Sequence, residues 1–312
     1  MKHRLIFSLL VLTLVLSLIV SGGCAKEEKF ASFTTGAWTG DWLTLYPIKI
    51  LLEEELGYTT RIDETSVAMA WTAVGTGQAD LWTNAWLPNQ ADLQAEFAET
   101  AISLGTIYGG GSHDPCLQFW AVPTSVSEQY GLTSIEQLDD PQFVEMFDTD
   151  GDGVGDLLGC DAAWKCAAIN DEIIVAYGLE GTYEQKYGAE SMITAAIVGS
   201  MKKGEPALFY FYTPHPFFID YPIGEAVTIL EDPKGGWGEL ATVIKVANHE
   251  WIEANPKAAE LIRQVTMTQE DIAWSMVQVD DRGDDAATLE AIAREWMADH
   301  QTEVDAWVAA VK

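Results

Sequence analysis

The feature that most constrains the fold is an alternation of helix and strand patterns over the first third of the chain. Residues 41–56 repeat apolar side chains at helical spacing and are followed by Gly57, a common helix stop. A second helix is predicted at 66–74. Strands are predicted around these helices at 31–37, 58–62 and 79–85. Strands that alternate with helices at this spacing are typical of an open parallel sheet.

The rest of the chain continues this α/β pattern. Strands are predicted at 118–122, 207–212 and 241–246, and C-terminal helices at 256–266, 269–277 and 286–311. The 312 residues are sufficient for two lobes. Two α/β lobes fit this order, and a ligand is then expected in the cleft at the carboxyl ends of the strands.

A secretion signal is predicted at residues 1–23. Basic residues precede an apolar run, Leu5–Val20, and small residues follow it. As a helix this run would span roughly 24 Å, short of the ~30 Å hydrocarbon core of a bilayer. Ser21–Cys24 resembles a lipobox, which predicts that Cys24 is lipidated and that residues 24–30 form a tether. An ordinary secreted protein is the alternative.

The charge of the chain argues against two classes of partner. The chain carries 48 acidic and 17 basic residues, a formal net charge of −31. Such a surface repels nucleic acid and anionic lipid, so membrane contact is expected only through the N-terminal lipid anchor. Because the acidic residues are interspersed in a chain that is 48% apolar, a globular protein is expected rather than a disordered one.

Aromatic residues fall where predicted strands end. The chain has 12 Trp, and Trp86 lies just past the strand at 79–85, while Tyr212 ends the strand at 207–212. Trp164 lies in a loop, and Trp38 follows the first strand. Such side chains can converge on one cleft, where ring faces attract a cation with about 0.5–2 kcal/mol each. Core packing and stacking against a sugar ring are the alternative roles.

Two close cysteines flank Trp164. Cys160 and Cys166 can bridge in an oxidising compartment, which leaves Cys116 outside the pair. A disulfide that closes so short a loop contributes roughly 2 kcal/mol through chain entropy. A zinc site is the alternative, although the sequence has no Cys-x-x-Cys and no nearby His.

An aspartate-rich loop precedes these cysteines. Its acidic residues follow the first ligands of a calcium loop: Asp148, Asp150, Asp152 and Asp156. Gly153 stands at the sharp turn, but Gly159 replaces the bidentate Glu expected at the twelfth position. The loop therefore predicts either a structural calcium site or a tight turn that needs no metal.

Motifs for catalysis do not occur in the sequence. It contains no Gly-x-Ser-x-Gly, no phosphate-binding loop and no His-Glu-x-x-His. His113 and His215 do not stand in a Ser-His-Asp order with a nucleophile elbow. We therefore expect a protein that is not an enzyme and that has no cofactor apart from the possible structural calcium.

Several segments resemble the glycine-betaine-binding proteins of osmoprotectant ABC importers, and the resemblance covers essentially the whole mature chain. The most specific segment runs from Phe147–Gly153 to Gly159–Cys166, which resembles the loop that carries a cage Trp between disulfide-paired cysteines. Shorter segments are also similar: Asn84–Pro88, Phe211–Pro214, Val246–Asn248 and Asn255–Ala259.

The resemblance implies the residues of a ligand site. The aromatic residues implied to line the cleft are Trp86, Trp164, Tyr212 and Trp38. Tyr212 stands where close relatives have Trp. The carboxylate of the ligand would bind the backbone amides of Lys165 and Cys166. Gln90 stands where those relatives have His and would add a neutral donor.

The resemblance also implies a fold and a function. The expected fold is the two-lobed α/β periplasmic-binding-protein fold, type II-like, with the ligand in the interlobe cleft and a Cys160–Cys166 disulfide. The first lobe would comprise residues 30–118 plus 225–312, and the second 119–224. The expected protein is an exported monomer in the periplasm or on the outer face of the cytoplasmic membrane. It would deliver glycine betaine or a related quaternary ammonium osmoprotectant to an ABC permease. Choline, carnitine or another small solute, or less readily a glycan-acting exported enzyme, are the alternatives.

Overall fold

The computed structural model describes residues 29–36, 38–109, 116–238 and 240–312. The predicted secretion signal and the predicted lipidation site, Cys24, lie outside these residues, as does most of the predicted tether. Among the described residues, no helix has both the length and the apolar character needed to cross a membrane.

In the described parts of the chain, ten strands form two five-stranded sheets. In chain order they are β1 (Phe30–Thr35), β2 (Thr59–Glu64), β3 (Leu81–Leu87), β4 (Ala101–Gly109), β5 (Gln118–Pro123), β6 (Gly155–Leu158), β7 (Tyr183–Lys186), β8 (Leu208–Tyr212), β9 (Val227–Ile229) and β10 (Thr242–Asn248). The first sheet has the order β2-β1-β3-β10-β4, and the second has the order β7-β6-β8-β5-β9. Each sheet is the centre of one α/β lobe.

Helices connect and cover these strands. In chain order they are α1 (Asp41–Leu56), α2 (Val67–Gly75), α3 (Ala91–Glu96), α4 (Thr124–Tyr130), α5 (Pro141–Phe147), α6 (Lys165–Ala176), α7 (Glu190–Lys203), α8 (Phe217–Asp220), α9 (His249–Ala254), α10 (Pro256–Gln264), α11 (Gln269–Arg282), α12 (Ala286–Asp299) and α13 (Gln301–Ala309). A 3₁₀ helix at Ile135–Asp139 is opened by a capping box of Ser134 and Gln137. The two-lobed α/β fold expected from the sequence is confirmed.

The parallel pairing predicted from the first third of the chain is confirmed for its three strands, but both complete sheets are mixed. Strands β2, β1 and β3 pair in parallel, whereas β10 pairs antiparallel with both β3 and β4. Parallel neighbours in a sheet are joined by a crossover connection. Strand β10 is not joined to β3 or β4 in this way, because it enters the first sheet only after the chain returns from the second. The second lobe is predicted from the sequence to end at residue 224, whereas β9 lies beyond this residue and belongs to the second sheet.

The C-terminal helices also differ from their prediction. The single helix predicted over 286–311 is two helices, α12 and α13, which meet at His300. The His300 ring stacks on Trp296 with 4.4 Å between ring centroids, and its Nδ1 lies 2.9 Å from the Trp296 carbonyl oxygen. Neither Gly nor Pro marks this break in the sequence.

A buried lysine supports the first lobe. Lys245 of β10 is 1% exposed, and its ammonium donates to the carbonyl oxygens of Arg263 and Val265 at the end of α10. Burial lowers the pKa of Lys245 to about 7. An unfolded lysine keeps a pKa near 10.4, so the folded state binds fewer protons than the unfolded state between these values. Folding therefore becomes more favourable as the pH rises through this interval.

We predict that K245M removes this pH dependence. Between about pH 7 and 10 the wild type should gain up to ~1.4 kcal/mol of unfolding free energy per pH unit relative to K245M. Urea denaturation at several pH values measures the difference. The exposed Lys202 provides the control K202M, whose profile should follow the wild type. Parallel profiles for wild type and K245M would contradict the prediction.

Candidate ligand-binding site

A cleft lies between the two sheets. The structure brings together there every residue that the sequence predicts for ligand contact: Trp38, Trp86, Gln90, Trp164, Lys165, Cys166 and Tyr212. The first three come from the first lobe and the others from the second. Residues far apart in the chain therefore share one cavity because the two sheets face each other.

Aromatic rings from the two lobes meet across the cleft. Trp86 at the end of β3 lies edge to face with Tyr212 at the end of β8, with 5.7 Å between ring centroids and an interplanar angle of 87°. Trp38 and Trp164 form a second such pair, at 5.8 Å and 75°. Edge-to-face pairs of this geometry are favourable beyond their buried area. The four rings form an aromatic cage that closes only when the lobes are together.

The orientation of the Trp86 ring is fixed by contacts with buried neighbours. Its indole nitrogen donates to Asn84 Oδ1 at 2.8 Å, and the Asn84 amide donates to the Gly40 carbonyl at 3.2 Å. Asn84 is buried, as is Tyr108, whose ring lies edge to face with Trp86 at 6.2 Å. A buried polar network whose members are paired holds one arrangement of its side chains. The ring is therefore preorganised.

The N-terminus of α6 opens into the cage. Trp164 is its N-cap residue and supplies no side-chain cap, and Lys165 and Cys166 are the first two helical residues. The first amides of a helix have no intrahelical acceptor, and the helix dipole favours an anion beside them. This end of the cleft is suited to a carboxylate.

The Lys165 side chain is directed to another partner. Its ammonium donates to Asp92 of the first lobe at 2.9 Å, across the mouth of the cleft. The hydrogen bond from Lys165 lowers the pKa of Asp92. Lys165 can therefore offer its backbone amide to a ligand while its side chain joins the lobes.

Gln90 is held as a hydrogen-bond donor. The side chain is buried, and its Oε1 accepts from the Trp71 indole nitrogen at 2.8 Å. This contact fixes which end of the amide is the oxygen and leaves Nε2 as the donor for the cleft. A neutral donor thus lies in the same cavity as the α6 amides.

The Cys160–Cys166 disulfide is present and encloses the loop that carries Trp164. Cys166 is also the second residue of α6, so the crosslink joins the cage Trp to the helix that faces the cleft. Cys116 is buried, in an isolated bridge with Ala241.

We predict that replacing both cysteines, C160S/C166S, lowers the free energy of unfolding by about 2 kcal/mol, because a crosslinked loop restricts the unfolded chain. Urea denaturation with and without reductant measures this. Reductant should destabilise the wild type by a similar amount and leave the double variant unchanged. A variant as stable as the oxidised wild type would contradict the prediction.

The aspartate-rich loop forms a turn organised by its own carboxylates. Asp148 accepts from the amides of Gly151, Asp152 and Gly153 at 2.7–3.1 Å. The carboxylates of Asp148, Asp150 and Asp152 lie close enough to share a cation. Calcium binding by this group stays a prediction.

A lysine already supplies positive charge to the same loop. Lys186 pairs with Asp150 at 2.8 Å, with Asp156 at 3.0 Å and with Glu184 at 2.5 Å. Asp156 also accepts from the Thr149 amide at 3.0 Å. Asp150 and Asp156 thus already have the Lys186 ammonium as their cationic partner, so a calcium ion would have to displace or share these contacts.

Sequence reasoning missed four residues that line the cleft. They are Val67, Asn89, Gln118 and Tyr210. Tyr210 precedes Tyr212 by two positions in β8, and alternate residues of a strand share a face. Its hydroxyl donates to Gln118 at 3.0 Å, and its ring stacks on Trp237 with 5.0 Å between centroids. The spacing of two residues between Tyr210 and Tyr212 in β8 could therefore have predicted Tyr210 as a residue that lines the cleft.

The sequence matches a known protein family along most of its length. Residues 32–299 match OpuAC, the substrate-binding domain of the ABC-type glycine betaine transport system. A glycine betaine/proline betaine-binding periplasmic protein of Salmonella typhimurium is 26% identical, covering 99% of this chain and 98% of that protein. The protein of the same name from Escherichia coli is 27% identical over 82% of each.

Solved structures share the fold. Lactococcal OpuAC, closed around glycine betaine, has a TM-score of 0.74 at 20% identity and covers 90% of this chain and 100% of its own. An ABC-transporter choline-binding protein with choline has a TM-score of 0.77 at 18% identity, with coverages of 90% and 92%. The fold and the cleft are those of a two-lobed solute-binding protein. The chain belongs to the OpuAC family, the substrate-binding domains of ABC-type glycine betaine transport systems.

Proposed function

We propose that this protein captures glycine betaine, or a closely related quaternary ammonium compound, between its lobes and delivers it to an ABC permease. The observation that carries the proposal is the aromatic cage of Trp38, Trp86, Trp164 and Tyr212 beside the N-terminus of α6. Membership of the OpuAC family supports the same ligand class. Capture of this kind makes and breaks no covalent bond.

The cage suits a methylated ammonium group. Such a cation has no strong hydrogen bond to donate, so it loses little when it leaves water, and each ring face attracts it with about 0.5–2 kcal/mol. Trp38, Trp86 and Tyr212 are buried, which keeps the water that would screen this attraction away.

The carboxylate of betaine would have its own partners in the same cleft. The amides of Lys165 and Cys166 at the start of α6 would donate to one side, and Gln90 Nε2 would add a neutral donor. Because ring and amide contacts come from both lobes, ligand would favour the closed arrangement, which is the form a permease would recognise.

We predict that W86A and W164A each weaken glycine betaine binding at least about tenfold, because each removes a cation-binding ring. Calorimetric titration of the protein without residues 1–23 measures the dissociation constants. W86F is the matched control and should retain part of the affinity, since it keeps an aromatic face. Undiminished binding in both alanine variants would contradict the cage. Absence of any heat or thermal shift with betaine in the wild type would remove the ligand assignment.

Choline is the second candidate ligand. A protein of the same fold is described in complex with choline, and Gln90 gives this site a neutral donor rather than a charged one. Choline has the quaternary ammonium but no carboxylate, so it needs the cage but not the α6 amides. Carnitine is a third candidate, since a Listeria monocytogenes relative, 22% identical over half of this chain, is named for glycine betaine and carnitine.

We predict that Q90E separates these ligands. Glutamate has nearly the shape of glutamine and still accepts from Trp71, but it replaces the donor with a negative charge. Betaine affinity should fall at least about tenfold, because the carboxylate of betaine is repelled, whereas choline affinity should be unchanged or higher. Competition calorimetry with both ligands measures the change. An equal loss for betaine and choline would contradict contact between Gln90 and the ligand carboxylate.

Export and anchoring are part of the proposal. The sequence of residues 1–24 supports secretion and lipidation at Cys24. The family relatives named as periplasmic proteins support a location outside the cytoplasm. We propose that the mature protein acts as a monomer held by its lipid at the outer face of the cytoplasmic membrane, within reach of the permease.

A further inference from the structure

A carboxylate outside the predicted ligand contacts connects the cage to both lobes. Glu190, the first residue of α7 in the second lobe, accepts from the Thr39 amide at 3.0 Å and from the Thr39 hydroxyl at 2.6 Å. Thr39 belongs to the first lobe and follows Trp38. The other oxygen of Glu190 accepts from the Tyr212 hydroxyl, which is part of the cage. One side chain therefore contacts a cage ring and the opposite lobe together.

Glu190 is enclosed and has no strong cationic partner among the residues that the structure describes. Its side chain is 13% exposed. In the described parts of the chain, no lysine or arginine lies within salt-bridge distance of it, and the one basic group nearby is His215, with Nε2 3.6 Å from the carboxylate. His215 Nδ1 accepts from the Phe217 amide, and burial lowers the pKa of His215 to about 4, so this ring is neutral at neutral pH.

The other charged group close to Glu190 is also acidic. Asp280 of α11 has its pKa raised by burial and by the charge of Glu190. An enclosed carboxylate without a cationic partner is costly unless something neutralises it. The cage lies one hydrogen bond away through Tyr212, so a cation held there would compensate the charge.

We propose that Glu190 is a positioning and specificity-determining residue, which orients Tyr212, joins Tyr212 to Thr39 across the closed cleft and favours a ligand with a cationic headgroup over one with an uncharged headgroup of the same shape. This inference rests on the proposed function, because it concerns the same cage. Glu190 would contribute in two ways: its hydrogen bonds hold the lobes together, and its negative charge lies beside the rings.

The test compares glycine betaine with an isostere that lacks only the positive charge of the ammonium group. The anion of tert-butylacetic acid has the shape and carboxylate of glycine betaine, but carbon replaces the ammonium nitrogen. In E190Q, which keeps a similar shape without the charge, betaine and choline affinity should each fall at least about tenfold. Affinity for the isostere should be unchanged or higher, and its binding also shows that the variant is folded.

Two further variants serve as controls. T39V removes one hydrogen bond to Glu190 but leaves its charge, so it should weaken betaine and the isostere by the same factor. E128Q removes an equal charge from an exposed position on α4 of the same lobe and should change neither. Calorimetric titration of the protein without residues 1–23 measures all of these constants.

The outcomes separate this inference from the proposed function. If E190Q lost affinity for betaine and for the isostere by the same factor, Glu190 would act only as a contact between the closed lobes. That result would overturn its role in specificity. Unchanged betaine and choline binding in E190Q would overturn the whole inference. A wild type that binds choline but not betaine would overturn the betaine assignment, and choline would still test Glu190. A wild type that binds neither cation would overturn both.

Discussion

The contact on which the site depends is the meeting of aromatic rings from two lobes. Trp86 and Trp38 belong to the first lobe, and Tyr212 and Trp164 to the second, and the two pairs lie edge to face at 5.7 and 5.8 Å. Neither lobe has the complete cage. A ligand that needs all four rings can therefore be bound only by the closed protein, so that ligand binding is coupled to closure of the two lobes.

The surroundings of the cage give each ring a fixed position. Asn84 holds Trp86 through its indole nitrogen, the disulfide and α6 hold Trp164, and Glu190 holds Tyr212. The hydrogen bonds to Asn84 and Glu190 join buried or enclosed polar groups, which have few alternative partners. The start of α6 places backbone donors in the cleft and Glu190 places a carboxylate beside Tyr212, an arrangement suited to a zwitterion with a methylated ammonium group.

Much of the fold and part of the site could be predicted from local patterns. The α1 helix has the predicted bounds, because its apolar spacing and Gly57 are signals within the segment itself. The mixed direction of the sheets could not be predicted in this way, because it depends on where β10 enters after the chain returns from the second lobe. The break at His300 was missed because no Gly or Pro marks it in the sequence.

The sequence by itself determined the α/β order, the acidic surface, the two close cysteines and the candidates Trp38, Trp86, Trp164 and Tyr212 at strand ends. It could do so because these features depend on residue type and short-range spacing. Only the tertiary structure decided that the rings share one cavity, that Tyr210 joins them and that Glu190 bonds to Thr39, 151 positions away. Contacts between residues so distant in the chain follow from the packing of two sheets, which no local pattern encodes.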